Sequence, residues 1–153
     1  MSEVELAGVD GAGAQSVPDG WRPHIVALVC NWCSYAGADM AGTTRLQYPS
    51  NVRMVRFPCT GRMSPLMILR AFEQGADGIL VSGCHPGDCH YSEGNFYARR
   101  RFALLGKLME FLGIEKERFN VQWISASEGR RLADVVSNFT EQIRKLGPRH
   151  VAS

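Results

Sequence analysis

The sequence predicts a compact α/β domain, a small doubly wound parallel sheet of about four strands with helices on both faces. Two observations predict it. Four short apolar runs punctuate the chain, and between them lie segments with helical periodicity and their own start and stop signals, in strand-helix alternation. The connections are short, and parallel strands joined through helices need right-handed crossovers that cover both faces of the sheet.

Each element follows from its residues. The first run, His24 to Cys30 (HIVALVC), is followed by Asn51 to Cys59 (NVRMVRFPC), which carries Val52, Met54, Val55 and Phe57. Gly78 to Cys84 (GILVSGC) is the third run and Phe119 to Ile124 (FNVQWI) the fourth. All four are short and β-branched enough to be buried strands. Between the first two, Ser34 to Leu46 permits a small helix through Ala36, Ala38, Met40 and Ala41, although Gly37 and Gly42 interrupt it. Ser64 as N-cap and Pro65 at the first helical position open the next helix, Leu66, Leu69 and Phe72 form its stripe, and Gly75 ends it. From Asn95 to Leu112 the apolar residues Phe102, Leu105, Leu108, Met109 and Leu112 recur at helical spacing, with Gly113 just beyond. Ser125 and Glu128 form a capping box ahead of Leu132, Val136, Phe139 and Ile143, and Gly147-Pro148 stops that run. With the second and third strands on either side of the first, the order is the one with which flavodoxin-like sheets begin.

Composition narrows the function. At 153 residues the chain is one domain's worth, and with 45% hydrophobic and 21% charged residues it sits near the globular average, which excludes a disordered polymer. Residues 1–22 lack periodicity and read as a flexible leader, leaving 23–153 as a single α/β domain. A formal charge of +2 is too small for an electrostatic footprint on a nucleic acid. The longest apolar run, Ile25 to Cys30, falls far short of the ~20 residues of a membrane span, and the acidic N-terminus lacks a secretory signal, so a cytoplasmic protein is expected.

Five cysteines, Cys30, Cys33, Cys59, Cys84 and Cys89, are an odd number, and a reducing compartment makes a disulfide framework a poor explanation. Cys30 ends the first strand with Cys33 in the loop after it, Cys59 ends the second, and Cys84 ends the third with Cys89 in its loop. In an open α/β sheet, function collects at the carboxyl ends of the strands. If the second and third strands flank the first, five thiols from three loops converge on one patch, which points to a bound metal. Cys-Asn-Trp-Cys and Cys-His-Pro-Gly-Asp-Cys with Cys59 between them suit structural zinc or an iron-sulfur cluster. The iron-sulfur choice is favoured because a domain with its own core does not need zinc to fold, and because Gly61, Gly83 and Gly87 let backbone amides approach cluster sulfurs. His85 and His90 follow two of the cysteines and read as supporting or surface residues. The Cys30/Cys33 pair also leaves open a thioredoxin-like dithiol, hence a thiol-disulfide oxidoreductase, and a Zn-stabilised adaptor is the other alternative. No G-x-G-x-x-G, P-loop or nucleophile-base pair marks a substrate site.

The strings CNWCSYAGADMAGTTRLQYP (Cys30 to Pro49), CTGRMSP (Cys59 to Pro65), GADGILVSGCHPGDCHY (Gly75 to Tyr91), GNFYARRR (Gly94 to Arg101) and WISASEG (Trp123 to Gly129) closely resemble the delta subunit of methyl-viologen-reducing (F420-non-reducing) hydrogenase. The resemblance covers about residues 24–147. It implies an electron-transfer subunit with a 2Fe-2S cluster, linking a nickel-iron hydrogenase, through its small subunit, to the flavin-bearing A-type flavoprotein of heterodisulfide reductase in methanogenesis. Proteins like it also pair with formate dehydrogenases. The family's cysteine motifs fall on Cys30, Cys33, Cys59, Cys84 and Cys89, one more than the cluster uses. Cys33, Cys59, Cys84 and Cys89 are the expected ligands, and Cys30, as a strand residue that can point into the core, is the expected spare. Arg45, Arg56 and Arg62 are candidate positive charges near the site. The triplet Arg99, Arg100 and Arg101 opposes the dipole at a helix start and suits an acidic partner surface, a pairing with Glu93 or Asp88, or water. Oxidoreductase activity is expected to belong to the assembly.

Overall fold

A computed structural model describes residues 17–149; residues 1–16 of the expected leader lie outside the described residues. The chain runs β1 (Ile25–Cys30), α1 (Ser34–Thr43), β2 (Val52–Phe57), α2 (Pro65–Glu73), β3 (Gly78–Gly83), α3 (Gly94–Phe111), β4 (Phe119–Trp123) and α4 (Gly129–Leu146), with single 3-10 turns at Thr60–Arg62 and Lys116–Arg118. The four strands form one parallel sheet in the order β2-β1-β3-β4. This is the doubly wound architecture expected from the sequence, with β2 and β3 flanking β1.

Alternation along the strands divides the core into two layers. Leu28, Ile79 and Val81 pack against Ile68 and Phe72 of α2 and Phe102, Leu105 and Met109 of α3. On the other face Ala27, Val29 and Leu80 meet Ala38 of α1 and Leu132, Val136 and Phe139 of α4. Trp21, within the stretch read as leader, is partly buried against this second layer. β1 and β3 are central strands and are almost wholly buried, whereas β2 is an edge strand whose Arg53, Val55 and Arg56 are exposed. The expectation that all four strands are buried therefore fails at the edges, where one flank has no neighbour.

Caps follow the sequence with one change. The Ser64 hydroxyl accepts from the Leu66 amide at 3.2 Å with Pro65 at the first helical position. At α4 only half of the capping box forms: the Ser125 amide donates to Glu128 Oε2 at 2.7 Å, while the Ser125 hydroxyl pairs with Ser127, and the helix starts at Gly129. At the amino end of the sheet, buried Arg118 donates to Glu115 and to the carbonyls of Asp77 and Gly147, tying the start of β4 to β3 and to the end of α4.

Candidate metal centre

All five cysteines lie at the carboxyl edge of the sheet, as the loop positions require. Cys30 is the last residue of β1, Cys59 follows β2 by two residues, and Cys84 follows β3 directly. Because these strands are neighbours, their exits are adjacent. The Sγ atoms of Cys30, Cys33 and Cys84 all lie within 4.8 Å of one another, with Cys30 and Cys84 at 3.7 Å. Cys59 and Cys89 form a second pair at 3.7 Å. Cys30, Cys33, Cys59 and Cys84 are buried and Cys89 is partly exposed, and no cysteine is in a disulfide. The sulfur of the strand residue Cys30 thus lies beside those of Cys33 and Cys84.

Crowding these thiols has an electrostatic consequence. Hydrogen bonds from Cys33, and then from Cys84, lower the Cys30 thiol to about 3. Its bond to Cys30 pushes Cys33 up to about 12, and Cys84 is pushed up for the same reason. Burial raises Cys59. Each of these thiols must give up its proton to serve as a metal ligand, so binding of a metal ion by the group would release protons.

Five local devices fix the cysteine-bearing turns. Gly83 ends β3, and a Cβ there would lie 2.3 Å from Thr60 Cγ2, so the turns carrying Cys84 and Cys59 approach only because this residue has no side chain. Gly94 opens α3, and a Cβ there would lie 2.4 Å from Cys59 Sγ and 3.2 Å from Cys89 Sγ. The Gly61 amide donates to Cys59 Sγ at 3.4 Å, which agrees with the role expected of this glycine. Buried Asn95 donates from Nδ2 to the carbonyls of Cys84 and His85, and Arg101 donates to those of Gly61 and Met63, all at 2.8–3.1 Å. Sequence reasoning does not single out Gly94 and Asn95. The signal for them is the helix start itself, which puts both beside the sulfurs but is visible only once α3 is docked.

The remaining candidates fall around this centre. His85 Nε2 meets Glu128 Oε2 at 2.6 Å. That carboxyl is held at about 2, first by the Ser125 amide and then by His85. His90 stacks on Trp32 with ring centroids 3.8 Å apart, and Tyr91 packs edge-on to His90. Arg56 lies over the Tyr35 ring, and Arg62 lines a cavity of about 640 Å³ beside Cys59, Tyr97 and Arg101. Within the triplet, Arg101 serves backbone carbonyls near Cys59, and Arg99 and Arg100 are exposed.

Fold and site together define a parallel α/β domain that gathers thiols from three adjacent β-to-α turns. The chain belongs to the family described as methyl-viologen-reducing hydrogenase, delta subunit, whose model matches residues 25–147. It is 56% identical over 128 residues to an iron-sulfur subunit of F420-non-reducing hydrogenase from Archaeoglobus profundus, covering 84% of this chain and 93% of that protein. It is 48% identical over 130 residues to the vhc iron-sulfur subunit of F420-non-reducing hydrogenase from Methanococcus voltae, covering 85% and 90%. It is also 43% identical over 126 residues to the A-type polypeptide of the ferredoxin/F(420)H(2)-dependent CoB-CoM heterodisulfide reductase of Methanosarcina acetivorans, covering 82% of this chain and 16% of that longer one.

Among the described residues, no helix is long and apolar enough to cross a membrane.

Proposed function

We propose that this chain is a cytoplasmic electron-transfer subunit that carries a 2Fe-2S cluster between a hydrogenase, by way of a nickel-iron small subunit, or a formate dehydrogenase, and the flavin-containing A-type flavoprotein of a heterodisulfide reductase-type complex. The observation that carries the reading is the meeting of two sulfur pairs, each 3.7 Å apart, at one edge of the sheet. Two thiolates on one tetrahedral metal with bonds of ~2.3 Å lie roughly 3.8 Å apart, so each pair has the span of one metal's two ligands. A single zinc would instead need four sulfurs at that mutual spacing. Among the described residues, the only group of three or more candidate ligands lying within 4.8 Å of one another is Cys30, Cys33 and Cys84. The donor set therefore favours a two-metal cluster over the zinc alternative.

Cys30, Cys33, Cys59, Cys84 and Cys89 supply one thiol more than such a cluster uses. When bound, the cluster takes up and releases one electron at a time. The residues of the chain hold and shield it. Gly83 and Gly94 allow the three turns to close around the sulfurs, and the Gly61 amide stabilises negative charge on Cys59. Trp32 stacks on His90, and His90 packs against Tyr91, so the loop after Cys30 is tied to the loop that carries Cys89.

Two observations support work inside an assembly. Leu66 of α2 and Leu104 and Phe111 of α3 are 62%, 71% and 86% exposed, large apolar side chains that a partner would cover. In the heterodisulfide reductase relative, the matching segment is part of a much longer chain, which supports an association of a domain like this one with that type of flavoprotein. The test is a reconstitution under anaerobic conditions from the hydrogenase, the A-type flavoprotein and this chain. Hydrogen-dependent flavin reduction is expected only when the chain is present, and an unchanged rate on leaving it out refutes the relay.

A further inference from the structure

We infer that an exposed apolar seam along α3 is the docking site for an amphipathic helix of a partner protein, one whose flank carries acidic side chains. The inference rests on the relay reading above and adds the surface used and the chemistry of what binds there. α3 is apolar on two faces. Ala98, Phe102, Leu105 and Met109 are buried in the core, whereas Tyr97, Leu104, Leu108 and Phe111 are exposed. These four recur at intervals of seven, four and three residues, which sets them in one line along the helix. Leu108, read with the core series in the sequence, belongs to this second line. A narrow line at that spacing is the seam into which the side chains of a second helix interdigitate.

The seam starts at the metal centre. Tyr97 lines the cavity that Cys59 also lines, and α3 opens at Gly94 beside the Cys59 and Cys89 sulfurs. At its far end Leu112 and Leu66 line a groove of about 500 Å³ between α2 and the end of α3. The 18 residues of α3 make about five turns, so a helix of that length covers the seam and holds its own protein against the cysteine-bearing edge.

Charge selects the occupant. α3 carries Arg99, Arg100, Arg101 and Lys107 against Glu110 alone. Arg101 is taken by the Gly61 and Met63 carbonyls. Arg100 and Lys107 stand seven residues apart on one flank of the seam, both exposed, and neither is in an ion pair among the described residues. An antiparallel two-fold pairing of α3 with its own copy would set this basic row against itself, which disfavours a homodimer. Asp or Glu along the flank of a partner helix would pair with the row, as flanking charges choose partners in coiled coils.

The full chain, reconstituted anaerobically with iron and sulfide, is titrated against the purified hydrogenase and, separately, against the purified A-type flavoprotein, each at low and high salt. The native chain is expected to bind at least one of them, with an affinity that falls as salt rises. Leu104→Ala/Phe111→Ala and Arg100→Glu/Lys107→Glu should each weaken that binding at least tenfold, with iron content and far-UV circular dichroism unchanged, since all four side chains are exposed. Benzoylphenylalanine in place of Leu108 then locates the occupant: its crosslinks are expected on a helical segment of the partner with Asp or Glu beside the apolar line. Unchanged binding by either double variant, or no binding of the native chain to either protein, overturns the inference. So do crosslinks to a second copy of this chain or to its own residues 1–16. Capture of the native chain by phosphatidylcholine/phosphatidylglycerol vesicles that Leu104→Ala/Phe111→Ala abolishes would assign the seam to a membrane surface and overturn it as well. Each of these results, obtained with native iron content, leaves the cluster reading standing. A native chain that binds no iron removes the relay reading, and the seam then stands or falls on the binding and crosslinks alone.

Discussion

Replacing Gly83 by alanine probes how tightly the cysteine turns are locked together. The new methyl would stand 2.3 Å from Thr60 Cγ2 and 3.2 Å from both Thr60 Oγ1 and Trp123 Cζ3. Non-bonded carbons rest ~3.5–4.0 Å apart, so the overlap with the Thr60 methyl exceeds about 1 Å. Neither side yields easily. Gly83 is held in β3 between β1 and β4, and Thr60 is 1% exposed and starts the 3-10 turn after Cys59. Overpacking of this kind costs roughly 1–3 kcal/mol, or about 3–10 °C in Tm for a domain of this size. Thr60→Ser removes the clashing carbon and by itself loses one buried methyl, about 1 kcal/mol. In Gly83→Ala/Thr60→Ser the methyl deleted from one residue makes room for the other. The double variant should therefore be about 1–2 kcal/mol more stable than the sum of the single changes implies. Urea unfolding of the four proteins measures this, and iron content should fall in Gly83→Ala and return in the double variant. Additive costs, or an unchanged stability of Gly83→Ala, would refute the close-approach argument.

Gly94→Ala strikes the sulfurs directly, since its methyl would overlap Cys59 Sγ at 2.4 Å; at least half of the bound iron should be lost, measured by metal analysis, while the helical circular dichroism is kept. Arg118→Ala leaves the Asp77 and Gly147 carbonyls without their buried donor, and should cost roughly 2–4 kcal/mol in urea unfolding without changing iron content, because Arg118 sits at the opposite edge of the sheet. The carboxyl of Glu128 is held at about 2 by the Ser125 amide and by His85, below its ordinary value of 4.5. A depressed acid stabilises the fold above its unfolded value and loses that contribution as pH falls through its folded one. The native chain should therefore lose thermal stability between about pH 4.5 and 2 more steeply than Glu128→Gln; superimposable Tm profiles would contradict the assignment.

Much of the fold is legible because its signals are local. β1 and β3 read as continuous apolar runs, which is what strands covered on both faces require, and Ser64-Pro65 opens α2 as written. Edge exposure of β2 is not legible, since a strand's own residues do not say whether a neighbour covers its flank. Convergence of the cysteines follows from placing three of them at the ends of neighbouring strands. Cys30, the last residue of β1, is buried as its strand position suggests; what the spacing does not give is which sulfur it meets there, that of Cys84 at 3.7 Å. Gly94 and Asn95 escape notice because their importance lies in contacts across 35 residues to Cys59 and 11 to Cys84, which exist only after α3 packs.

The central claim is that three β-to-α turns jointly hold an inorganic redox centre. Anaerobic purification of the full chain, followed by iron, acid-labile sulfide and zinc analysis with an absorption spectrum, addresses it most directly. The account expects about two irons and two sulfides per chain, with visible absorbance that bleaches on reduction. One zinc per chain with a colourless spectrum, or a metal-free protein bearing a disulfide, would contradict it.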